Sequence, residues 1–525
     1  MANEPNPETP PPTFAELQES GAIIGEIRVN VADIFDLDDP KENNFLFRTA
    51  NWLHIKTRPN VIRRTLLFKP GEPASVRLIE ETERLLHDNR YLYSANITPT
   101  AYQNGVVDIE VKTRDTWTLD TGASFSRSGG NNSSGLALKE YNLLGTGVFV
   151  GLTRSSTVDR SGTQLDVSNH HAFGGWTDIN YSHAKNNDGQ MQTFSVVNPF
   201  YALDTRWTAG ATASRDDRVD TIYNSGILTG QYRHQKGENE VFGGWSEGLI
   251  ADWTRRYSVG LNYQVDDYSV EPGLLAPAQL PLDQKLVSPF VSYEIIEDGY
   301  QQVKNRNQIQ RPEYASMGLQ SRVRVGRAFT SLGSTQNLWV YSASVSDGFD
   351  LSLDEVLLAS ASLSGRYGGG FDENYLFGGS MRYFIPQNER AKFYIAVSGD
   401  KAHNPALGEE LLLGGDNGLR GYPLRYQSGN QRALLTVEER VYTDWYPFRL
   451  FRVGGAVFYD VGRAWGGINQ NVENPGWLND VGFGLRILSA RSAFGNILHI
   501  DFAFPLNRDS KIKSFQFLVK TKVSF

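Results

Sequence analysis

The stretch LGGDNGLRGYP, residues 413–423, places a single arginine, Arg420, inside a glycine-rich turn, and Asp460 follows 40 residues later in the stretch FYDVG, residues 458–462. Successive side chains of a strand point to opposite faces, so Asp460 falls on the face opposite Tyr459. A carboxylate buried there needs a cation, and the guanidinium group of Arg420 is a planar fork that stays charged. We therefore predict that residues 402–430 fold inward and that Arg420 pairs with Asp460.

Strand-like alternation of apolar and polar residues runs from Trp117 to Phe525. The last residues show it most clearly, with Phe515, Phe517 and Val519 on one face and the polar residue Gln516 on the other. Segments of about ten alternating residues are typical of a transmembrane β-barrel, whose strands face lipid on one side and the lumen on the other. No run of about 18 apolar residues is present that would indicate a membrane-spanning helix. We predict an all-β, antiparallel transmembrane β-barrel over residues 117–525.

The composition narrows the possible functions. The chain of 525 residues has no cysteine, which excludes disulfides, thiolate metal sites and thiol catalysis. The formal net charge is −8 and no basic run occurs, which argues against binding to nucleic acid. The absence of cysteine also suits a protein that passes through an oxidising periplasm.

Several motifs in the last hundred residues resemble those of the outer-membrane barrel superfamily that includes BamA, TamA and FhaC. Members carry a VRGF- or LRGY-type motif at the tip of the sixth extracellular loop, which folds into the barrel and meets an F-x-D-x-G strand. The loop motif here is Gly418, Leu419, Arg420, Gly421 and Tyr422; the strand motif is Phe458, Asp460 and Gly462; Glu438 stands where BamA-like proteins have a further acidic partner; and Gly482, Gly484 and Arg486 resemble the next conserved strand.

The resemblance implies a barrel of 16 strands, whereas the number of alternating segments is nearer 20. It also implies that the terminal Phe525, on the apolar face of the last strand, is the signal by which such barrels are recognised for assembly.

The residues before the barrel have a different pattern. Residues 1–20 are rich in Pro, Glu and Thr, which predicts a disordered tail. Residues 21–116 predict a small mixed domain: a strand beginning near Ile24, a helix over residues 77–88, and a hairpin whose turn contains Asn104-Gly105. This order resembles a single POTRA domain, where BamA-like proteins usually have several and two-partner transporters have two. The first residues show no secretion signal, and we expect a mature sequence.

The resemblance implies an outer-membrane protein, with its POTRA domain in the periplasm, that inserts or translocates polypeptides through a barrel able to open laterally. The expected partners are outer-membrane lipids, unfolded polypeptide clients and accessory envelope proteins, without nucleic acid and without a cofactor. The alternative is a lipid-handling barrel or passive pore that has no protein clients.

One motif is typical of a different class of protein. The sequence GWSEG, residues 244–248, matches the G-x-S-x-G pattern of serine hydrolases, in which the serine occupies a turn between a strand and a helix. Here the residues on both sides of Ser246 have strand patterns, so we predict no catalytic residue and no enzymatic activity. His170-His171 and the acidic run of residues 36–39 lack the further ligands of a metal site, and we predict no bound metal.

Overall fold

The structure is a computed structural model that describes residues 12–224, 227–352, 355–368, 370, 373–466, 476–493, 495–508 and 512–525. Two parts follow each other along the chain: a small domain of helices and strands, and a closed β-barrel. None of the helices in the described ranges is both long enough and apolar enough to cross a membrane.

The N-terminal domain is a three-stranded sheet covered by helices. Its helices are α1 (Phe14–Glu19), α2 (Phe45–Leu53), α3 (Pro59–Thr65) and α4 (Val76–His87), and its strands are β1 (Ile23–Ala32), β2 (Leu92–Gln103) and β3 (Val106–Asp115). The strand order is β1-β3-β2, with β1 parallel to β3. Asn104 and Gly105 have positive φ values of 52° and 80°, as a tight hairpin turn requires. The core includes Ile24, Leu86 and Ile109, which are fully buried.

The prediction of disorder over residues 1–20 is wrong for the part that the structure describes. Thr13 and Glu16 form a reciprocal capping box that satisfies the first backbone N–H groups of α1. Leu17 is fully buried in the domain core, and this burial holds the short helix in place. Residues 1–11 lie outside the described residues. The helices α2 and α3 also have no counterpart in our sequence-based expectations, which placed one helix at residues 77–88.

The barrel closes on itself through 20 antiparallel strands in the described part of the chain. These strands are β4 (Leu119–Ser128), β5 (Asn131–Glu140), β6 (Val148–Ser156), β7 (Ser161–Ala172), β8 (Thr177–Asn186), β9 (Gly189–Asn198), β10 (Trp207–Asn224), β11 (Ile227–Ile250), β12 (Trp253–Ser269), β13 (Gln284–Glu297), β16 (Gln320–Ala328), β17 (Leu338–Asp350), β18 (Val356–Tyr367), β19 (Asn374–Pro386), β20 (Ala391–His403), β23 (Gln431–Tyr442), β24 (Phe451–Trp465), β25 (Leu478–Ser489), β26 (Ile497–Pro505) and β27 (Gln516–Lys522). The all-β antiparallel barrel is confirmed.

The strand number agrees with the alternation count of about 20 and contradicts the 16 implied by resemblance. The motifs that carry the resemblance lie on β23–β25 and the loop before them, so they do not constrain the number of strands elsewhere. Strand number, tilt and stagger are linked around the whole barrel, and further hairpins can be added without changing one local motif.

Two hairpins lie outside the barrel wall. In the connection from β13 to β16, β14 (Tyr300–Lys304) pairs with β15 (Pro312–Ser316). In the connection from β20 to β23, β21 (Leu411–Leu413) pairs with β22 (Gln427–Gly429). We call the barrel rim beside the N-terminal domain the proximal rim and the opposite one the distal rim. Since strands alternate in direction from β4 onward, the first hairpin lies at the proximal rim and the second at the distal rim.

Candidate functional site: an inward loop and a weak seam

The loop between β20 and β23 enters the barrel from the distal rim and is held there by apolar side chains. Leu419 and Tyr422 are fully buried in a cluster with Ala464 of β24 and Leu478 of β25. The Tyr422 hydroxyl also lies 3.0 Å from the carbonyl oxygens of both Asn479 and Asn507, to which it can donate. The loop tip is therefore fixed against the inner wall.

Arg420 lies at the centre of a buried ion network. Its Nε and Nη2 atoms donate to the two carboxylate oxygens of Asp460 over 2.7 and 2.9 Å. Its Nη1 atom lies 2.9 Å from Glu438 Oε1, and its guanidinium carbon lies 3.3 Å from the centre of the Phe458 ring. Thr436 donates to Asp460 over 2.8 Å. The arginine thus meets two acids and an aromatic face, which is the arrangement that a permanently charged planar group favours.

Close contacts require the glycines of the motifs. A Cβ on Gly482 would lie 2.3 Å from the Phe458 ring, so the ring can occupy its place beside Arg420 only because that position is glycine. A Cβ on Gly421 would lie 2.7 Å from Asp480 Cβ, and the Gly421 N–H donates to Asp480 Oδ2 over 3.0 Å. A Cβ on Gly484 would collide with Asp501 at 1.9 Å. Gly421 therefore allows the loop to approach β25, and Gly482 and Gly484 allow side chains of β24 and β26 to lie against β25.

The remaining motif residues lie around the network. Gly418 has a φ value of 127° and lies against Leu434, and Gly462 lies beside the Leu413 and Leu434 side chains. Arg486 is fully buried but is not joined to the loop: it donates to Asp501 Oδ1 over 2.6 Å. Glu438 also accepts a hydrogen bond from Arg440 Nε over 2.8 Å.

Our sequence reasoning missed Asp480, Asp501 and Thr436 as members of the site. The signal was present in the strand register, because Asp480 pairs with Asp460 across β24 and β25, and Asp501 pairs with Gly484 across β25 and β26. Directly paired residues have neighbouring side chains on the same face of a sheet. Predicted register would therefore have added all three, since Thr436 also pairs with Asp460.

Phe525 does not lie where the alternation placed it. The last strand ends at Lys522, and the chain then turns so that Phe525 is buried beside Tyr442, with ring centres 4.5 Å apart. Arg440 and Arg486 lie 5.4 and 5.7 Å from its ring. The expectation of an apolar outer face continuing to the terminus is wrong, because an aromatic pocket beneath two arginines buries the ring more fully than the outer face would.

The seam between the first and last barrel strands is much weaker than its neighbours. Among the described residues, β27 and β4 share one register pair, Val519 with Arg127, whereas β26 and β27 share seven. The inward loop bridges this seam from inside: the Gly415 carbonyl accepts hydrogen bonds from Ser128 of β4 over 2.5 Å and from Lys520 of β27 over 3.0 Å. One loop atom thus contacts both edges.

The β14–β15 hairpin holds the proximal end of the last strand. Ile309 at its tip is 1% exposed and packs in the cluster that contains Tyr442 and Phe525. The Phe525 N–H donates to the Asn307 carbonyl over 2.8 Å, and Gln308 Nε2 donates to the Val523 carbonyl over 2.8 Å. Because the hairpin starts from β13 and β16, it crosses from one side of the proximal mouth to the other.

The G-x-S-x-G match is part of the barrel wall. Ser246 lies inside β11, and the next element along the chain is strand β12. Its hydroxyl oxygen accepts a hydrogen bond from the Gly248 N–H over 3.0 Å. The strand-to-helix turn that a nucleophilic serine needs is therefore not formed.

The comparisons with known proteins find likeness at the level of structure. The chain is similar to BamA from Haemophilus ducreyi lacking POTRA domains 1–3, with 13% identity over 95% of this chain and 85% of that one and a TM-score of 0.42. It is similar to CdiB from Acinetobacter baumannii, with 12% identity, coverage of 95% and 74%, and a TM-score of 0.44. It is also similar to CdiB from Escherichia coli, with 14% identity, coverage of 95% and 76%, and a TM-score of 0.48. No family model and no curated protein sequence matches the chain.

Proposed function

We propose that this protein lies in the bacterial outer membrane, with its POTRA-like N-terminal domain in the periplasm, and inserts or translocates unfolded polypeptides at the seam between β4 and β27. The observation that carries the proposal is the contrast at this seam, which among the residues that the structure describes has one residue pair in the wall and a loop contact behind it. Outer-membrane lipids and accessory envelope proteins are the further partners.

An opened seam would present two strand edges with unpaired backbone N–H and C=O groups. A client segment that arrives in extended form can hydrogen-bond to such an edge and add a strand to the sheet. The single POTRA-like domain has its own sheet edge, β2, for a first contact with the same client. In this mechanism the Arg420 network has a positioning role, because it keeps β23–β25 and the loop rigid while the seam opens.

A disulfide across the seam tests this mechanism directly, since the chain has no cysteine of its own. Arg127→Cys and Val519→Cys join the two residues that pair across the seam. The reconstituted protein is given a urea-unfolded outer-membrane barrel as the probe. We expect the reduced protein to accelerate folding of the probe several-fold and the oxidised protein to do so no faster than empty vesicles. Folding is read from heat-modifiable gel mobility.

In the matched control, the disulfide joins the neighbouring pair of strands, β26 and β27, in place of β27 and β4. Phe502 and Phe517 are paired across β26 and β27, in an interface that this mechanism keeps closed. Oxidation of the Phe502→Cys, Phe517→Cys protein is expected to leave probe folding unchanged. Equal activity of the oxidised and reduced seam variants would rule out lateral opening.

A second candidate function is a passive pore or lipid-handling barrel without protein clients. A cavity of about 520 Å³ lies inside the wall formed by β13 and β16–β20, and its lining includes Glu294, Arg322 and Ser344. A polar lumen of this kind suits water and ions. Planar-bilayer conductance of the unmodified protein, together with transfer of labelled lipid between vesicles, distinguishes this function from polypeptide handling.

A further inference from the structure

Helix α2 of the N-terminal domain exposes an apolar face that a water-facing helix would not have. Phe45 and Trp52 are 83% and 81% exposed, and Leu46 and Leu53 are also exposed. At about 100° per residue these four side chains fall on one continuous arc of the helix. A contiguous patch of large apolar residues marks a surface that is covered by something else.

The opposite face of α2 packs on the barrel. Phe47 is buried and stacks on Phe35 with ring centres 3.8 Å apart, and the cluster they form packs against Leu450, the residue before β24. Asn51 exchanges two hydrogen bonds with the backbone of Phe35, over 3.1 and 2.9 Å. The helix is therefore fixed at the proximal rim, and its exposed face has a fixed orientation relative to the barrel.

Charged contacts place the same helix at the foot of the seam. Arg491, in the turn between β25 and β26, is ion-paired with Glu42 and donates to the Ile34 carbonyl over 3.3 Å. Its own carbonyl accepts a hydrogen bond of 2.7 Å from Trp117, two residues before the first barrel strand. The segment that carries α2 is thus joined to the turn between β25 and β26 and, through Arg491, to the residues just before β4, the first strand of the seam.

Further large apolar side chains are exposed in the barrel turn whose Leu450 packs against the cluster beneath α2. The turn between β23 and β24 exposes Trp445 and Phe448 beside Leu450, and Phe448 is 80% exposed. The exposed cations Lys41 and Arg48 lie before and within the helix. Aromatic residues beside long cationic side chains are typical of the interface between lipid headgroups and acyl chains.

We propose that α2 lies in the phospholipid leaflet around the proximal rim, with Phe45, Leu46, Trp52 and Leu53 in the acyl boundary and Arg48 among the phosphates. The helix then anchors the N-terminal domain to the membrane beside the seam. This binding surface requires only that the barrel spans a bilayer, and it holds equally for a polypeptide-handling protein and for a pore.

Site-directed fluorescence on the full chain tests the proposal. Leu46→Cys places the single thiol on the exposed face of α2, where it is labelled with an environment-sensitive dye. The labelled protein is reconstituted into vesicles of phosphatidylethanolamine and phosphatidylglycerol, with and without a lipid that carries a nitroxide near the headgroup. We expect the nitroxide lipid to reduce the emission at least about twofold, because a probe at the acyl boundary lies within contact distance of the quencher.

Lys112→Cys is the matched control, because Lys112 is an exposed residue on β3 of the same domain. Its dye is expected to be quenched by iodide present on both sides of the vesicle membrane and not by the nitroxide lipid. Iodide quenching of the Leu46 dye at the same level as the Lys112 dye would overturn the proposal. Protection of the Leu46 dye from both quenchers would also overturn it, since a second copy or another protein would then cover the helix.

A second variant keeps the test independent of the dye. Leu46→Asp with Trp52→Asp changes two exposed side chains, so heat-modifiable barrel mobility is expected to be unchanged. In vesicles the amides of residues 46–53 are expected to exchange hydrogen at least about tenfold faster in this variant, because the charged face leaves the leaflet. Exchange equal to that of the unmodified protein would contradict membrane contact.

Discussion

Two interfaces of this barrel differ greatly in how firmly their strands are joined: the one between β23 and β24, and the one between β27 and β4. Strands β23 and β24 share 12 register pairs and carry the buried network of Arg420, Asp460 and Glu438, whereas β27 and β4 share one pair among the described residues. Each backbone hydrogen bond contributes about 0.5–1.5 kcal/mol net, so the difference between the two interfaces amounts to several kcal/mol. Polar side-chain contacts are concentrated at β23 and β24, where the inward loop is fixed. The two strands of the seam, β4 and β27, are linked mainly through the Gly415 carbonyl of that loop.

We expect the largest effect from Arg420→Ala, which removes the cation of the buried network at β23 and β24. Removal of one partner from a buried ion pair typically costs about 3–5 kcal/mol, because Asp460 and Glu438 would remain buried without their cation. We expect the free energy of unfolding to fall by about this amount, the loop to become protease-sensitive and any client activity to decrease. Denaturant titration of the reconstituted barrel measures the first effect.

The control for Arg420 lies in the same loop. Arg425 pairs with Asp159 over 2.5 Å, and this acid is partly exposed. Arg425→Ala is expected to cost less than about 1 kcal/mol, as for other solvent-screened pairs. An equal decrease in the free energy of unfolding from Arg420→Ala and Arg425→Ala would show that burial does not increase the contribution of the Arg420 network to stability.

The next effect concerns the hairpin that holds the last strand at the proximal rim. Ile309→Ala removes the buried tip side chain from its cluster and is expected to cost about 2 kcal/mol locally. Hydrogen exchange should increase in the hairpin and at residues 519–525, and remain unchanged in β23 and β24. A uniform increase in hydrogen exchange over the whole barrel would show that residues 519–525 open together with β23 and β24.

A smaller effect is expected from weakening the loop contact across the seam. Lys520→Met keeps most of the side-chain volume but removes the donor to the Gly415 carbonyl, at an expected cost of about 1 kcal/mol. Hydrogen exchange of the β4 and β27 amides should rise about fivefold, which is the same free energy expressed as a rate. Ser128→Ala removes the donor on the other edge and should have a similar effect.

The smallest effect is a pH dependence at the contact between α4 and the hairpin. Burial lowers the pKa of His87 below its ordinary value of 6.5, and the ring lies 5.4 Å from Tyr314 of β15. A lowered histidine pKa means that the fold favours the neutral ring, so its contribution is present above pH 6.5 and is lost as the pH falls.

We therefore expect the denaturant midpoint to decrease between about pH 7.5 and about pH 5.5 more in the unmodified protein than in His87→Gln. The difference between the two proteins isolates His87 from Glu83, whose pKa burial raises and whose contribution has the opposite sign. Identical pH profiles would remove the role of His87.

The amino-acid sequence by itself determined the faces of the strands, an approximate strand number and the pairing of Arg420 with Asp460. These features follow from local alternation and from the requirement that a buried carboxylate has a cation. Ala456, Phe458 and Asp460 face inward while Val457 is 63% exposed, as the alternation of β24 predicted.

Only the tertiary structure decided the weakness of the seam, the contact of Gly415 with both of its edges, the inward turn of Phe525 and the place of α2. Each of these depends on register and closure between residues far apart in sequence, such as Ser128 and Gly415, which are separated by 287 positions. Alternation assigns a residue to a face of its own strand, but it does not determine which distant residue meets it there.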